Sequence, residues 1–99
     1  MKTAFIVLKS PTESDPSHLL LRLASKNDAT AILVEDGVYH AVSQFGANKL
    51  KASAADVLVS AEDLEARGFT SHDIKVGRAV GYPEIVDCIM EQTERTITL

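Results

Sequence analysis

The sequence predicts an α/β fold with the alternation βαβαβαβαβ. Three observations point there. Short runs of strand length, at residues 4–8, 31–34 and 56–59, each stop abruptly at polar or turn-forming residues. Apolar residues at helical spacing follow these runs. The connections between the two patterns are short. Such alternation implies right-handed crossovers with helices on both faces of the sheet.

The elements follow in order. Ala4-Phe5-Ile6-Val7-Leu8 is apolar on both faces, as in a strand central to a parallel sheet, and Lys9-Ser10-Pro11 ends it. Residues 12–15 form a polar loop. Asp15 then acts as N-cap, with Pro16 at the first helical position. Leu19, Leu20, Leu23 and Ala24 give helix one its apolar stripe, which finishes near Ser25, and residues 26–28 turn into strand two. Strand two, Ala31-Ile32-Leu33-Val34, is stopped by Glu35 and Asp36. Gly37 eases the turn, and Val38, Ala41 and Val42 recur at helical spacing. Helix two is expected to end near Phe45-Gly46, with Gly46 as its stop.

Residues 47–55 are polar and small, and no element is assigned to them. Residues 56–59 read as strand three. Ser60 caps helix three, Asp63 completes a capping-box-like pair, and Arg67-Gly68 closes the helix. Phe69 folds back on that helix and residues 70–73 are loop. Residues 74–80 form strand four, interrupted by Gly77. Tyr82-Pro83 opens helix four, whose expected buried stripe is Ile85, Val86, Ile89 and Met90. Thr96-Ile97-Thr98-Leu99 alternates as a final edge strand.

Size and composition narrow the function classes. The 99 residues make one domain, residues 1–99, small enough to gain from a partner that covers more of its surface. Apolar residues at 45% and charged residues at 24% are ordinary for a soluble globular protein. A net charge of −4 with scattered Lys and Arg argues against direct contact with nucleic acid. No run approaches the ~20 apolar residues of a membrane span, and residues 4–8 are too short a run for a signal peptide. Cys88 is the only cysteine, which excludes an internal disulfide or a Cys-based zinc site and fits a reducing cytoplasmic setting.

Candidate chemistry is sparse. Cys88 is the one possible nucleophile for a thiol enzyme. A reactive cysteine needs its pKa lowered by a helix N-terminus or by cations. Cys88 instead sits about five residues into helix four, beyond useful reach of the dipole. Asp87 adjoins it, and Glu84 and Glu91 lie within a turn on either side, which raises a thiol pKa. It reads as a small packing residue at the margin of the Ile85–Ile89 stripe. Glu35 and Asp36 form a possible acid/base pair, but neighbouring strand residues point to opposite faces, and Asp36 reads better as the cap of helix two. His18, His40 and His72 fall on three elements without metal-ligand spacing, so no metal is expected. His40, one turn past Gly37, could reach the crevice at the carboxyl ends of the strands and reads as a solvated or interface histidine. Lys9 and Ser10 border the same crevice. Gly-x-Ser-x-Gly, Walker and Rossmann glycine patterns are all absent. No cofactor is expected.

Four stretches together resemble the DsrH/TusB family of the DsrEFH-like sulfur-relay proteins. They are Lys9-Ser10-Pro11, Glu35-Asp36-Gly37-Val38-Tyr39, Asp63-Leu64-Glu65-Ala66-Arg67-Gly68-Phe69, and Tyr82 followed by Ile85-Val86-Asp87. The resemblance implies a three-layer α/β/α sandwich around a five-stranded, mainly parallel sheet. It implies assembly with DsrE/DsrF-like (TusD/TusC-like) sister subunits or with itself, as a homo- or hetero-oligomer. It also implies persulfide sulfur transfer, as in tRNA wobble-uridine 2-thiolation or sulfur oxidation. Some members carry a cysteine in helix one, where this chain has Ser17-His18-Leu19-Leu20-Leu21. The reading that follows is a non-catalytic subunit shaping a crevice near Lys9, Ser10, Glu35, Asp36, Gly37, Tyr39 and His40. Two alternatives stand beside it: a stand-alone homo-oligomeric module for a small ligand or for regulation, and a thiol-dependent sulfurtransferase using Cys88.

Overall fold

The computed structural model describes residues 1–99. Five strands, β1 (Thr3–Val7), β2 (Ala29–Leu33), β3 (Asp56–Ser60), β4 (Arg78–Val80) and β5 (Arg95–Thr98), form one sheet in the order β4-β3-β2-β1-β5. Every neighbouring pair is parallel. The helices are α1 (Ser17–Leu23), α2 (Tyr39–Val42), α3 (Gln44–Ser53), α4 (Ala61–Ala66) and α5 (Tyr82–Asp87). The chain steps outward from β1 to β4 and then crosses back to place β5 on the far side of β1.

With right-handed crossovers, that return puts α5 on the opposite face from the other helices. The two cores show it. Phe5, Val7, Ala31, Leu33, Val57 and Val59 pack with Leu20 of α1, Ala41 of α2, Leu50 of α3 and Leu64 of α4. The alternate strand positions Ala4, Ile32, Leu58 and Val80 pack with Ile85 of α5 and with Cys88 just beyond it. Strand period two thus divides the apolar residues between a broad core and a narrow one. β5 docks on β1 over residues 3–6 and 95–98, flanked by the Glu94 N–H donating to the Lys2 carbonyl at 2.8 Å and the Leu99 N–H to the Ile6 carbonyl at 2.8 Å.

Several elements depart from the sequence reading. Helix two does not run to Gly46. Residues Glu35–Val38 form a 3₁₀ turn, α2 lasts one turn, and the chain breaks at Ser43 before α3 begins. Ser43 is extended, and its hydroxyl accepts the Gly46 N–H at 3.3 Å, so it caps a new helix. Gly46 is no stop. A Cβ there would lie 2.9 Å from the His40 carbonyl, so its bare backbone lets α3 close against α2. Most of the unassigned residues 47–55 are α3 itself.

Strand four is only Arg78–Val80, because the Lys75 N–H donates to the Ala41 carbonyl at 2.8 Å, drawing residues 74–76 toward α2 and away from the sheet. On helix four, Val86 and Met90 are exposed, and the buried positions are Ile85 and Cys88, with Ile89 packed against them. A π-turn over Cys88–Gln92 widens the helix and turns that face toward the sheet. In α1 only Leu20 of the leucine stripe is buried; Leu19 and Leu23 are exposed, since a two-turn helix lying over the sheet covers a single row.

Asp15 ties the start of α1 to α3. One carboxylate oxygen accepts the Ser17 N–H at 3.1 Å and the Ser17 hydroxyl at 2.6 Å, and the other meets the Lys49 ammonium. Pro16 lies just outside the helix, at its N-cap. Burial alone would raise the Asp15 pKa. The Lys49 and Ser17 bonds and the Lys49 charge outweigh it and bring it down to about 2, from an ordinary 3.8. A carboxyl that holds its proton less tightly when folded stabilises the fold above its ordinary pKa, and loses that contribution as pH falls through the folded value. Between pH 5 and pH 2 the urea midpoint should therefore drop by the equivalent of about 1–2 kcal/mol from this group, discounted because the pair is partly solvated. Asp15→Asn should flatten that part of the profile.

Candidate functional site

The carboxyl ends of the strands hold two adjoining constellations. The first lies where the connections leave β3 and β4 for opposite faces of the sheet, since the crevice opens between such connections. Asp63, at the third position of α4, spans it. One of its carboxylate oxygens accepts the Tyr82 hydroxyl from the first residue of α5 at 2.9 Å and the Glu35 N–H from the turn after β2 at 2.9 Å. Ser60 caps α4, its hydroxyl accepting the Asp63 N–H at 3.2 Å. The capping box is thus half formed, because the Asp63 carboxylate bonds Glu35 and Tyr82 and not the Ser60 backbone N–H.

Arg67, one turn along α4, completes the group. Its Nε and Nη2 reach one Asp36 oxygen at 3.0 and 2.9 Å, and its Nη1 donates to the Asp63 carbonyl at 3.2 Å. Asp36 is therefore not a helix cap. Glu35 and Asp36 lie in the 3₁₀ turn rather than in a strand, so the opposite-face argument does not apply to them. Glu35 uses its backbone and Asp36 its side chain, both toward α4. Glu35 has φ +49°, a left-handed conformation that strains a non-glycine residue by about 1 kcal/mol or more. Its N–H bond to Asp63 holds it there.

Burial pushes the Asp63 carboxyl up, but the donors from Glu35, Tyr82 and Ser60 and the Arg67 charge hold it below the usual carboxylate range. Tyr82 moves the other way, raised first by its bond to ionised Asp63. The pair is fixed as carboxylate and phenol.

The second constellation sits at the tip of β1. His40 is buried, not solvated, and its Nε2 lies 2.9 Å from the Lys9 carbonyl. A carbonyl can only accept, so Nε2 carries the proton. Burial lowers the His40 pKa, against the raising effects of that bond and of Asp15, and keeps the ring neutral at neutral pH. Gly37 packs beneath Val7: a Cβ there would fall 1.9 Å from the Val7 carbonyl oxygen. The Ser10 hydroxyl bonds Thr12 at 2.9 Å and Glu13 at 3.1 Å. Tyr39 meets Phe69 edge to face, centroids 5.8 Å apart, and with Ser10, Thr12 and Ser43 borders an open depression.

The sequence-nominated residues therefore fall into two sets, Glu35 and Asp36 with α4, and Lys9, Ser10, Gly37, Tyr39 and His40 around the β1 tip. The sequence reads Asp63, Arg67 and Tyr82 as cap, helix end and helix start; the Ser60-x-x-Asp63 spacing is the available signal for Asp63. Cys88 stands apart. It is buried in the narrow core, and burial above all, with Asp56 and Asp87, pushes its thiol up against a smaller opposing effect of Arg78. Asp63 and Tyr82 hold each other as carboxylate and phenol, which suits recognition better than proton transfer. No helix is long and apolar enough to cross a membrane.

The profile of the DsrH-like protein family matches residues 9–95. No curated protein matches the chain significantly. Among solved structures, protein Tm0979 from Thermotoga maritima, determined in solution by NMR, superposes with a TM-score of 0.61 at 26% identity, over 87% of this chain and 90% of that one. The matched span takes in both constellations at the strand ends, and the chain belongs to the DsrH-like family of sulfur-relay-type proteins.

Proposed function

We propose that this chain is a non-catalytic subunit of a cytoplasmic sulfur-relay complex. In this reading it assembles with DsrE/DsrF-like (TusD/TusC-like) sister subunits that carry the persulfide, or with copies of itself. The complex serves 2-thiolation of the tRNA wobble uridine or sulfur oxidation. One observation carries the reading beyond family membership: the lone thiol, Cys88, is buried on the face opposite α1–α4 and its pKa is raised, so it is a poor sulfur carrier. The segment Ser17-His18-Leu19-Leu20-Leu21 of α1 offers no second thiol. The exposed Val86 of α5 and Met90 of the π-turn beyond it, at 55% and 73% accessibility, supply apolar surface for assembly.

The test is recovery of the tagged chain from its native host, with mass spectrometry of what accompanies it and of its own Cys88. Expected are DsrE-fold sister subunits at stoichiometric yield and an unmodified thiol. Recovery of the chain by itself, with a labile extra sulfur on Cys88, would overturn the reading in favour of a thiol-dependent sulfurtransferase.

A further inference from the structure

A small cavity opens beside the β1 tip, between the loop before α1 and the start of α3. It offers about 80 Å³ and is walled by Pro11, Phe45 and Leu50, with Asp15, His40 and Lys49 among its polar groups. His40 is 97% removed from solvent, with 3% of its surface accessible. Its Nε2 is committed to the Lys9 carbonyl, and its Nδ1 has no protein partner. Thr3 Oγ1 is the one fully buried side-chain polar atom left without a hydrogen bond, so the equally unpartnered Nδ1 must reach open space. The cavity is the space that His40 lines.

The protonation of Nε2 leaves Nδ1 as a bare lone pair, an acceptor. An occupant that displaces water from this space must bring an N–H or O–H of its own, or leave that acceptor unsatisfied. Lys49 and Asp15 neutralise each other at the wall, and His40 is neutral, so nothing favours a net charge. The ammonium, set 4.5 Å over the Phe45 ring, keeps further N–H groups free for an acceptor on the occupant. Apolar walls and the narrow volume favour a flat body of about five heavy atoms.

We propose that this cavity is a binding site for a small, flat, uncharged ligand with an N–H donor beside an acceptor, as in an azole or a simple amide. The donor bonds His40 Nδ1, and the acceptor takes a hydrogen from Lys49. The site is independent of the sulfur-relay reading, because it uses neither Cys88 nor a partner subunit.

Pyrazole, neutral across the working range, is the probe, and 1-methylpyrazole, which lacks the donor, is its control. Long-range proton–nitrogen NMR spectra of the whole chain report directly on His40 Nδ1. Expected is a saturable shift of that resonance with pyrazole, and binding of the methylated ring about tenfold weaker. His40→Gln keeps an amide donor where Nε2 stood and removes the Nδ1 acceptor. Followed through Phe45 and Lys49 signals, it should weaken pyrazole about tenfold while the dispersed spectrum persists. Equal binding of the two rings, no shift at Nδ1, or undiminished binding by folded His40→Gln would each overturn the assignment. Should His40→Gln fail to fold, the comparison of the two rings on the unaltered protein decides.

Discussion

Adding one methyl group at Gly37 is expected to cost about 3 kcal/mol of stability and to lower the melting temperature by roughly 15 °C. The Cβ of Gly37→Ala would lie 1.9 Å from the Val7 carbonyl oxygen and 2.8 Å from its carbon. Both are backbone atoms at the end of β1, so no rotamer change relieves the overlap. The Val34 N–H also donates to that carbonyl, at 3.2 Å, so any shift spreads into the end of β2. Relief must come by lifting the Glu35–Val38 turn, which displaces Glu35 from Asp63 and His40 from Lys9 together. Urea unfolding followed by circular dichroism gives the magnitude. Gly68→Ala is the control. Gly68 has φ +81° but nothing within 4 Å of the added carbon, so only conformational strain acts, worth about 1 kcal/mol. Equal losses at the two glycines would show that the contact with Val7 is soft.

Asp63→Ala should be nearly as damaging, by about 2–3 kcal/mol. Its carboxylate, carried in the first turn of α4, bonds both the turn after β2 and the start of α5. Removing it frees the Glu35 N–H and leaves a left-handed residue without its anchor. Asp63→Asn retains one carbonyl oxygen and should lose about half as much, since only the charge assistance disappears. A double-mutant cycle with Tyr82→Phe isolates the bond across the crevice, with an expected coupling of about 1 kcal/mol. A coupling near zero would mean that Tyr82 merely rests on Asp63. The exposed Arg67–Asp36 pair, by contrast, should be worth under about 1 kcal/mol.

The three inner strands were legible because a parallel sheet buried on both faces demands continuous apolar runs, and Lys9-Ser10-Pro11 and Asp36-Gly37 mark the ends of the first two. The strand–helix alternation then dictated the layers. α3 escaped because its buried face is Gly46, Ala47, Leu50 and Ser53: small residues fit a helix pressed against α2 but make no apolar stripe. The π-turn escaped because one extra residue in a turn shifts the face without altering composition.

At the crevice, the residues were legible and their partnerships were not. Tyr82, Glu35 and Asp63 meet only because two connections leave the sheet on opposite faces, a property of topology rather than of any local pattern. His40 reads as a solvated or interface histidine, until the fold brings the Lys9 carbonyl, from far earlier in the chain, to its ring.

The pairing of β5 with β1 bears on how the protein is made. During synthesis the first strand emerges with its β2 flank soon satisfied, but the other flank stays bare until Arg95–Thr98 has left the ribosome. Until then an open strand edge is available to neighbouring nascent chains. Closure of the sheet thus waits for β5, and a frameshift or stop codon before Arg95 would leave that edge of β1 open and send the product toward aggregation and proteolysis.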